Sequence, residues 1–158
     1  MNTSDNKFMK EAIELALNNV KKNNGGPFAA IIVKDGKIVG KGVNSVTAIN
    51  DPTAHAEVSA IRDACKNLNT FQLDNCEIYT TCEPCPMCLG AIYWARLNKI
   101  FYGTTKYDAA KINFDDQFIY DEIAKEKKDR TIATHQIMRE ESLEIFNTWS
   151  DKIDKIEY

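Results

Sequence analysis

The chain has 158 residues, 27% of them charged and 44% hydrophobic, with a formal net charge of −3 at pH 7. A domain of this length buries roughly two-thirds of its unfolded surface, and the ordinary balance of apolar and charged residues excludes global disorder. The negative balance argues against a grip on a nucleic-acid backbone, which needs clustered Lys and Arg to displace counterions.

The opening Met1-Asn2-Thr3-Ser4-Asp5-Asn6 has neither the basic segment nor the apolar run of a signal peptide. No apolar stretch approaches the ~18 residues of a membrane span. The expectation is a cytoplasmic protein whose five cysteines are metal ligands or free thiols, not a disulfide framework.

Along the chain, Met9, Ala12, Ile13, Ala16, Leu17 and Val20 recur at helical spacing, and Asn24-Gly25-Gly26 ends that helix. Phe28-Ala29-Ala30-Ile31-Ile32-Val33, a turn at Asp35-Gly36 and a second run from Ile38 to about Asn44 read as a hairpin. A second helix is expected to start around Asp51-Pro52-Thr53, with Val58, Ile61, Ala64, Cys65 and Leu68 on its buried face. Glu77-Ile78-Tyr79-Thr80-Thr81 is a strand, 86–96 a helix and Lys99-Ile100-Phe101-Tyr102 a strand. Two strand–helix–strand units in succession suggest neighbouring parallel strands. Further on, 115–123 is expected to be helical, Thr134-His135-Gln136-Ile137-Met138 an edge strand and 140–149 a last helix. No repeat, low-complexity tract or linker interrupts the pattern, so one domain over 1–158 is the simplest organisation. The fold class is α/β: a three-layer α/β/α sandwich on a mixed sheet of about five strands.

Chemistry concentrates in two places, His55-Ala56-Glu57 and Pro84-Cys85-Pro86-Met87-Cys88, each at an expected helix start. Zinc takes thiolates and imidazole, and a catalytic site supplies three protein ligands and leaves a fourth position to water. Cys85 and Cys88 on one first turn can face one ion, and the positive helix end favours their thiolates. His55 supplies a nitrogen. In a regular helix, Glu57 would turn away from the direction of His55. It reaches the open position only if His55 sits on an irregular first turn, where its carboxylate could take a proton from water and pass it to a substrate.

The bland alternatives are specific. Cys82, Cys85 and Cys88 with His55 would make a closed structural Cys3His site, a non-catalytic zinc module that leaves Glu57 and Pro84 without a task. An iron–sulfur run lacks its fourth cysteine followed by proline. Cys65 and Cys76 read as core or surface thiols, His135 as structural, and Lys125-Glu126-Lys127-Lys128-Asp129-Arg130 as a solvated segment. Phe28 and Trp94 could be core aromatics, and Asn44 a turn former.

The pattern H-x-E…P-C-x-x-C is the signature of zinc nucleobase deaminases, in which the Glu shuttles protons and binds no metal. Beyond that signature the chain resembles the bacterial guanine deaminases, within the cytidine/deoxycytidylate deaminase superfamily, along nearly its whole length. The matching stretches are Gly25-Gly26-Pro27-Phe28, Asn50-Asp51-Pro52-Thr53-Ala54-His55-Ala56-Glu57-Val58, 82–96, Phe114-Asp115-Asp116-Gln117-Phe118-Ile119-Tyr120 and the ending Ile156-Glu157-Tyr158. The resemblance implies Zn2+ on His55, Cys85 and Cys88 and proton transfer by Glu57. It implies that Asn44 and Asp116 hydrogen-bond a purine base enclosed by Phe28 and Trp94. It also implies a homodimer in which the C-terminal segment crosses over, so that Tyr158 closes the partner's pocket. The implied reaction is hydrolysis of guanine to xanthine and ammonia. Close rivals are tRNA adenosine deaminases, which would need a basic surface, and deaminases of cytosine or other small aminated bases.

Overall fold

The computed structural model describes residues 3–157, so Tyr158 lies outside the described residues. These residues separate into two compact units, 3–116 and 117–157. In the first unit the element order is α1 (Thr3–Lys21), β1 (Ala29–Lys34), β2 (Lys37–Val43), α2 (Val46–Ile49), α3 (Ala56–Leu68), β3 (Cys76–Cys82), α4 (Pro86–Trp94), β4 (Lys99–Thr104) and α5 (Lys106–Ala110). The second unit holds α6 (Gln117–Ala124), a single 3-10 turn over Lys127–Asp129 and α7 (Arg139–Asp151).

The sheet has four strands among the described residues, in the order β2-β1-β3-β4. The expected hairpin is present: β1 pairs antiparallel with β2, and Asp35 and Gly36 both take positive φ, the backbone of a tight hairpin turn. β1 also pairs antiparallel with β3, and β3 pairs parallel with β4. The sheet is mixed, but two expectations need correction. β2 and β3, joined through α3, are not neighbours, because the hairpin strand β1 occupies the place between them. The fifth strand is absent: 133–138 carries no strand assignment and is exposed throughout, including His135. A run of β-branched residues makes a strand only where an edge supplies hydrogen-bond partners.

Helices cover both faces, as expected of a three-layer sandwich. On one face Phe8 and Ala12 of α1 pack with Ile31, Val33 and Tyr79. Of the residues at helical spacing in α1, Ile13, Leu17 and Val20 are exposed. The small Ala12 packs with the sheet residues Ile31, Val33 and Tyr79, and Ala16 is also buried. On the other face, Ala56, Ala60 and Ala64 of α3 pack with Ala30, Ile32, Ile78 and Ile92.

The contact of α3 with β2 is tight enough to require glycine. A Cβ on Gly42 would lie 2.2 Å from the Ala56 carbonyl oxygen, and one on Gly40 2.6 Å from that of Ala60. This Gly-to-Ala fit fixes the start of α3 against the C-terminal end of β2. The ends of β3 and β4 lie on the same side, and sites of α/β sheets gather at such strand ends.

Candidate metal centre and active site

The segment before α3 does not begin the helix where the sequence suggested. Asp51 Oδ1 accepts hydrogen bonds from the Thr53 N–H at 2.8 Å and the Thr53 hydroxyl at 2.7 Å. The carboxylate thus closes a local Asx turn instead of capping a helix. The helix starts at Ala56, with His55 as its N-cap in extended backbone, φ −71° and ψ 157°. That shift decides the site geometry. His55 leaves the helical phase, so Glu57 two residues later is no longer forced to face away from it.

α4 repeats the arrangement. Cys85 is its N-cap, φ −65° and ψ 168°, Pro86 occupies the first turn without the loss of a needed N–H, and Cys88 follows on that turn. The Nδ1 of His55 lies 3.6 Å from Cys85 Sγ and 3.5 Å from Cys88 Sγ. Among the described residues these three form the group able to hold a metal ion, with all ligand atoms within 4.8 Å of one another. A tetrahedral zinc with bonds of roughly 2.3 Å to sulfur and 2.0–2.1 Å to nitrogen has S···N edges of roughly 3.6 Å. The donor set fits zinc in chemistry and in spacing. Cys82, the fourth member of the closed alternative, does not join: its thiol donates to the Thr105 carbonyl, with an Sγ···O distance of 3.6 Å.

The electrostatics suit a metal site. The Cys85 thiol is pulled down to about 4, first by a hydrogen bond with Cys88, then, against the cost of burial, by His55. The bond to Cys85, burial and the charge of Glu57 push the Cys88 thiol up. His55 is raised through its bond to Cys85, which outweighs burial. Binding a divalent ion therefore displaces protons from this cluster. Glu57 is 6% exposed. Burial raises its carboxyl above the ordinary range, while hydrogen bonds with Cys88 and Thr80 oppose the shift. The Thr80 hydroxyl, itself buried on β3, donates to Glu57 Oε1 at 3.2 Å.

The zinc-binding region of cytidine and deoxycytidylate deaminases matches residues 2–104. The chain belongs to that family. It is 55% identical over 151 residues to the guanine deaminase of Bacillus subtilis (strain 168), covering 96% of this chain and 97% of the relative. The solved structure of the Bacillus subtilis guanine deaminase superposes with a TM-score of 0.95 at 54% identity, covering 100% of this chain and 99% of that one. A tRNA-specific adenosine deaminase of Aquifex aeolicus is 46% identical over 95 residues, 60% of this chain and 62% of the relative.

The other expected site residues of this deaminase-family chain fall as follows. Asn44, at the end of β2, is buried, and its Oδ1 accepts from the Gly26 N–H at 3.2 Å. Phe28 is half-buried and meets Phe114 edge-on, ring centroids 4.9 Å apart. Asp116 is near enough to the cluster to feel the Cys85 charge, and burial raises its carboxyl first. Trp94, at the end of α4, is 65% exposed. His135 is exposed and lies outside the metal group, and Cys65 and Cys76 are free thiols, Cys76 buried and Cys65 half-buried. Sequence reasoning gave no role to Thr80, Phe114 or Asn19. The last is a buried amide at the end of α1. The only signal for Asn19 was a polar side chain directly before Val20 in an otherwise apolar stripe.

Proposed function

We propose that this chain hydrolyses guanine to xanthine and ammonia, with His55, Cys85 and Cys88 holding Zn2+ and Glu57 moving the protons. The observation that carries the reading is Glu57: a buried carboxylate beside a three-donor metal set, bonded to Thr80 and to Cys88. A structural zinc site has no use for such a group. The choice of guanine is supported by the guanine deaminase relative, which matches over nearly the full length of both chains. The tRNA deaminase match covers a smaller share of each chain.

Zinc, when bound, supplies a Lewis acid that brings the pKa of a coordinated water to roughly 7. Glu57 accepts the proton of the attacking water and delivers it to the ring nitrogen beside the carbon that bears the amino group. It then carries a second proton to the departing nitrogen, so that water and guanine leave as xanthine and ammonia. Burial suits it to the task, since it raises the carboxyl above the ordinary carboxylate range and so makes it a stronger base toward water. Thr80 holds Oε1 in place. Phe28 lies against one side of the base, Asn44 and Asp116 bond its edge, and Trp94 with the partner's terminal tyrosine closes the slot. A flat base is held by apolar walls and a few fixed polar groups. The carboxylate of Asp116 suits the ring N–H donors of guanine, whereas adenine offers an acceptor at the corresponding nitrogen.

The same reading includes a homodimer with exchanged C-terminal segments and a cytoplasmic location. Support for the dimer comes from 117–157, where no side chain is buried although Ile132, Ile137, Phe146 and Ile153 are strongly exposed. The exposed Tyr93 and Trp94 of the otherwise apolar α4 point the same way. Reduced thiols in all five cysteines fit the cytoplasm. No helix among the described residues is long and apolar enough to cross a membrane.

The test is a substrate panel. Zinc-loaded protein is incubated with guanine, guanosine, adenine, cytosine and a tRNA anticodon stem-loop while ammonia is followed. Release from guanine and not from the RNA is expected. Release from the stem-loop alone would assign the chain to the tRNA enzymes.

A further inference from the structure

Asn19 lies in the last turn of α1 with only 4% of its surface exposed. A primary amide carries two N–H donors, and Asn19 Nδ2 has two acceptors from two separate segments. One is the Gly26 carbonyl at 3.0 Å, in the loop that leads into β1. The other is the Asn44 carbonyl at 2.9 Å, at the end of β2. The two segments are joined again by the Gly26 N–H donating to Asn44 Oδ1 and by the Asn44 N–H donating to the Phe28 carbonyl at 3.0 Å. The loop is pressed so closely on Asn44 that a Cβ on Gly25 would lie 2.1 Å from the Asn44 carbonyl oxygen, and Gly25 has φ +152°.

A backbone N–H can only donate, so the atom that Gly26 faces must be the side-chain oxygen of Asn44. The NH2 group of Asn44 is thereby turned away from Gly26 and presented as a donor. Any displacement of Gly26 relative to Asn44 would release that orientation. We infer that Asn19 is a positioning residue for substrate binding: it clamps the Gly26 and Asn44 carbonyls together, and so sets the Asn44 amide and the Phe28 backbone against the base. The inference rests on the proposal that Asn44 and Phe28 contact the substrate. Asn19 itself touches neither metal nor base. Its loss acts on binding geometry, where small misplacements weaken substrate affinity.

The experiment compares zinc-loaded N19A, A16G and N44A with the parent, measuring KM and kcat for guanine, zinc content and Tm. A16G weakens the same buried face of α1 through helix propensity, but lies outside the clamp. N19A is expected to raise KM about tenfold, with kcat within about threefold and zinc unchanged, while A16G lowers Tm and leaves KM alone. Should N19A fail to fold, N19L, which approximates the shape and removes both donors without adding a charge, is expected to give the same KM shift. If the Asn19 variant raises KM no more than A16G while N44A raises it strongly, the positioning role is overturned and the proposed base contact stands. If N44A leaves KM unchanged, the base contact itself is wrong and the inference falls with it.

Discussion

Residues 3–116 and 117–157 solve the problem of stability differently. The first unit sandwiches a four-stranded sheet between α1 and the pair α3 and α4, with Ile31, Ile32, Ile78 and Tyr79 almost fully buried. The second has two helices and a 3-10 turn yet buries no residue, and its ion pairs, such as Lys125 with Glu122, are exposed ones of small worth. Apolar burial is the dominant favourable term of folding. The first unit therefore carries its own stability together with the metal set. The second leaves large apolar side chains such as Ile132, Ile137 and Phe146 exposed. The metal set lies in the first unit, and under the proposed reading the second serves assembly and closure.

The largest expected effect tests whether the first unit holds the chemistry. E57Q should retain zinc and lose at least ~100-fold in kcat, the usual worth of a general acid–base group. Retained turnover would remove Glu57 from the mechanism. Next, if the C-terminal segment closes the partner's pocket as proposed, truncation of residues 156–158 should lower guanine turnover about tenfold while changing Tm little. Equal kinetics would break the division of labour. T80V, which keeps shape and removes the donor to Glu57 Oε1, should cost severalfold to about tenfold in kcat with KM nearly constant. Restoration by T80S would attribute the loss to the hydroxyl.

The smallest effect is a pH dependence of stability in zinc-free protein. Burial raises the Glu57 carboxyl above its ordinary value of 4.5. A raised acid favours folding while it is protonated, below its unfolded value. That contribution is lost as pH climbs through the folded value. E57Q, which never ionises, should thus melt higher than the parent near pH 7–8, with the gap closing as pH falls toward 4.5. Thermal melts across that range check the sign.

The metal donors were legible because their spacing is local: Cys85 and Cys88 share one helical turn, and His55 stands beside a second helix start. The orientation of Glu57 was not legible. Asp51-Pro52-Thr53 resembles a helix cap, and only the Asx turn shows that the helix waits until Ala56. The hairpin and the α/β layering followed from periodicity, but the sheet order did not, because pairing β1 with β3 is a long-range choice. Helical spacing identified the stripe of α1 without saying which edge of it is buried. Thr80, Phe114 and Asn19 went unseen for the same reason. Thr80 meets Glu57 23 residues away, Phe114 meets Phe28 farther still, and Asn19 joins Gly26, 7 residues on, to Asn44, 25 residues on, with no local pattern to mark them.

The central claim is a metal held by two sulfurs and one nitrogen, with its remaining position left to solvent and substrate. X-ray absorption at the zinc edge of the loaded protein measures that directly. The account predicts two sulfur and two light-atom neighbours, unchanged in C82S. A third sulfur that disappears in C82S would make the site a closed structural one and contradict the enzyme reading.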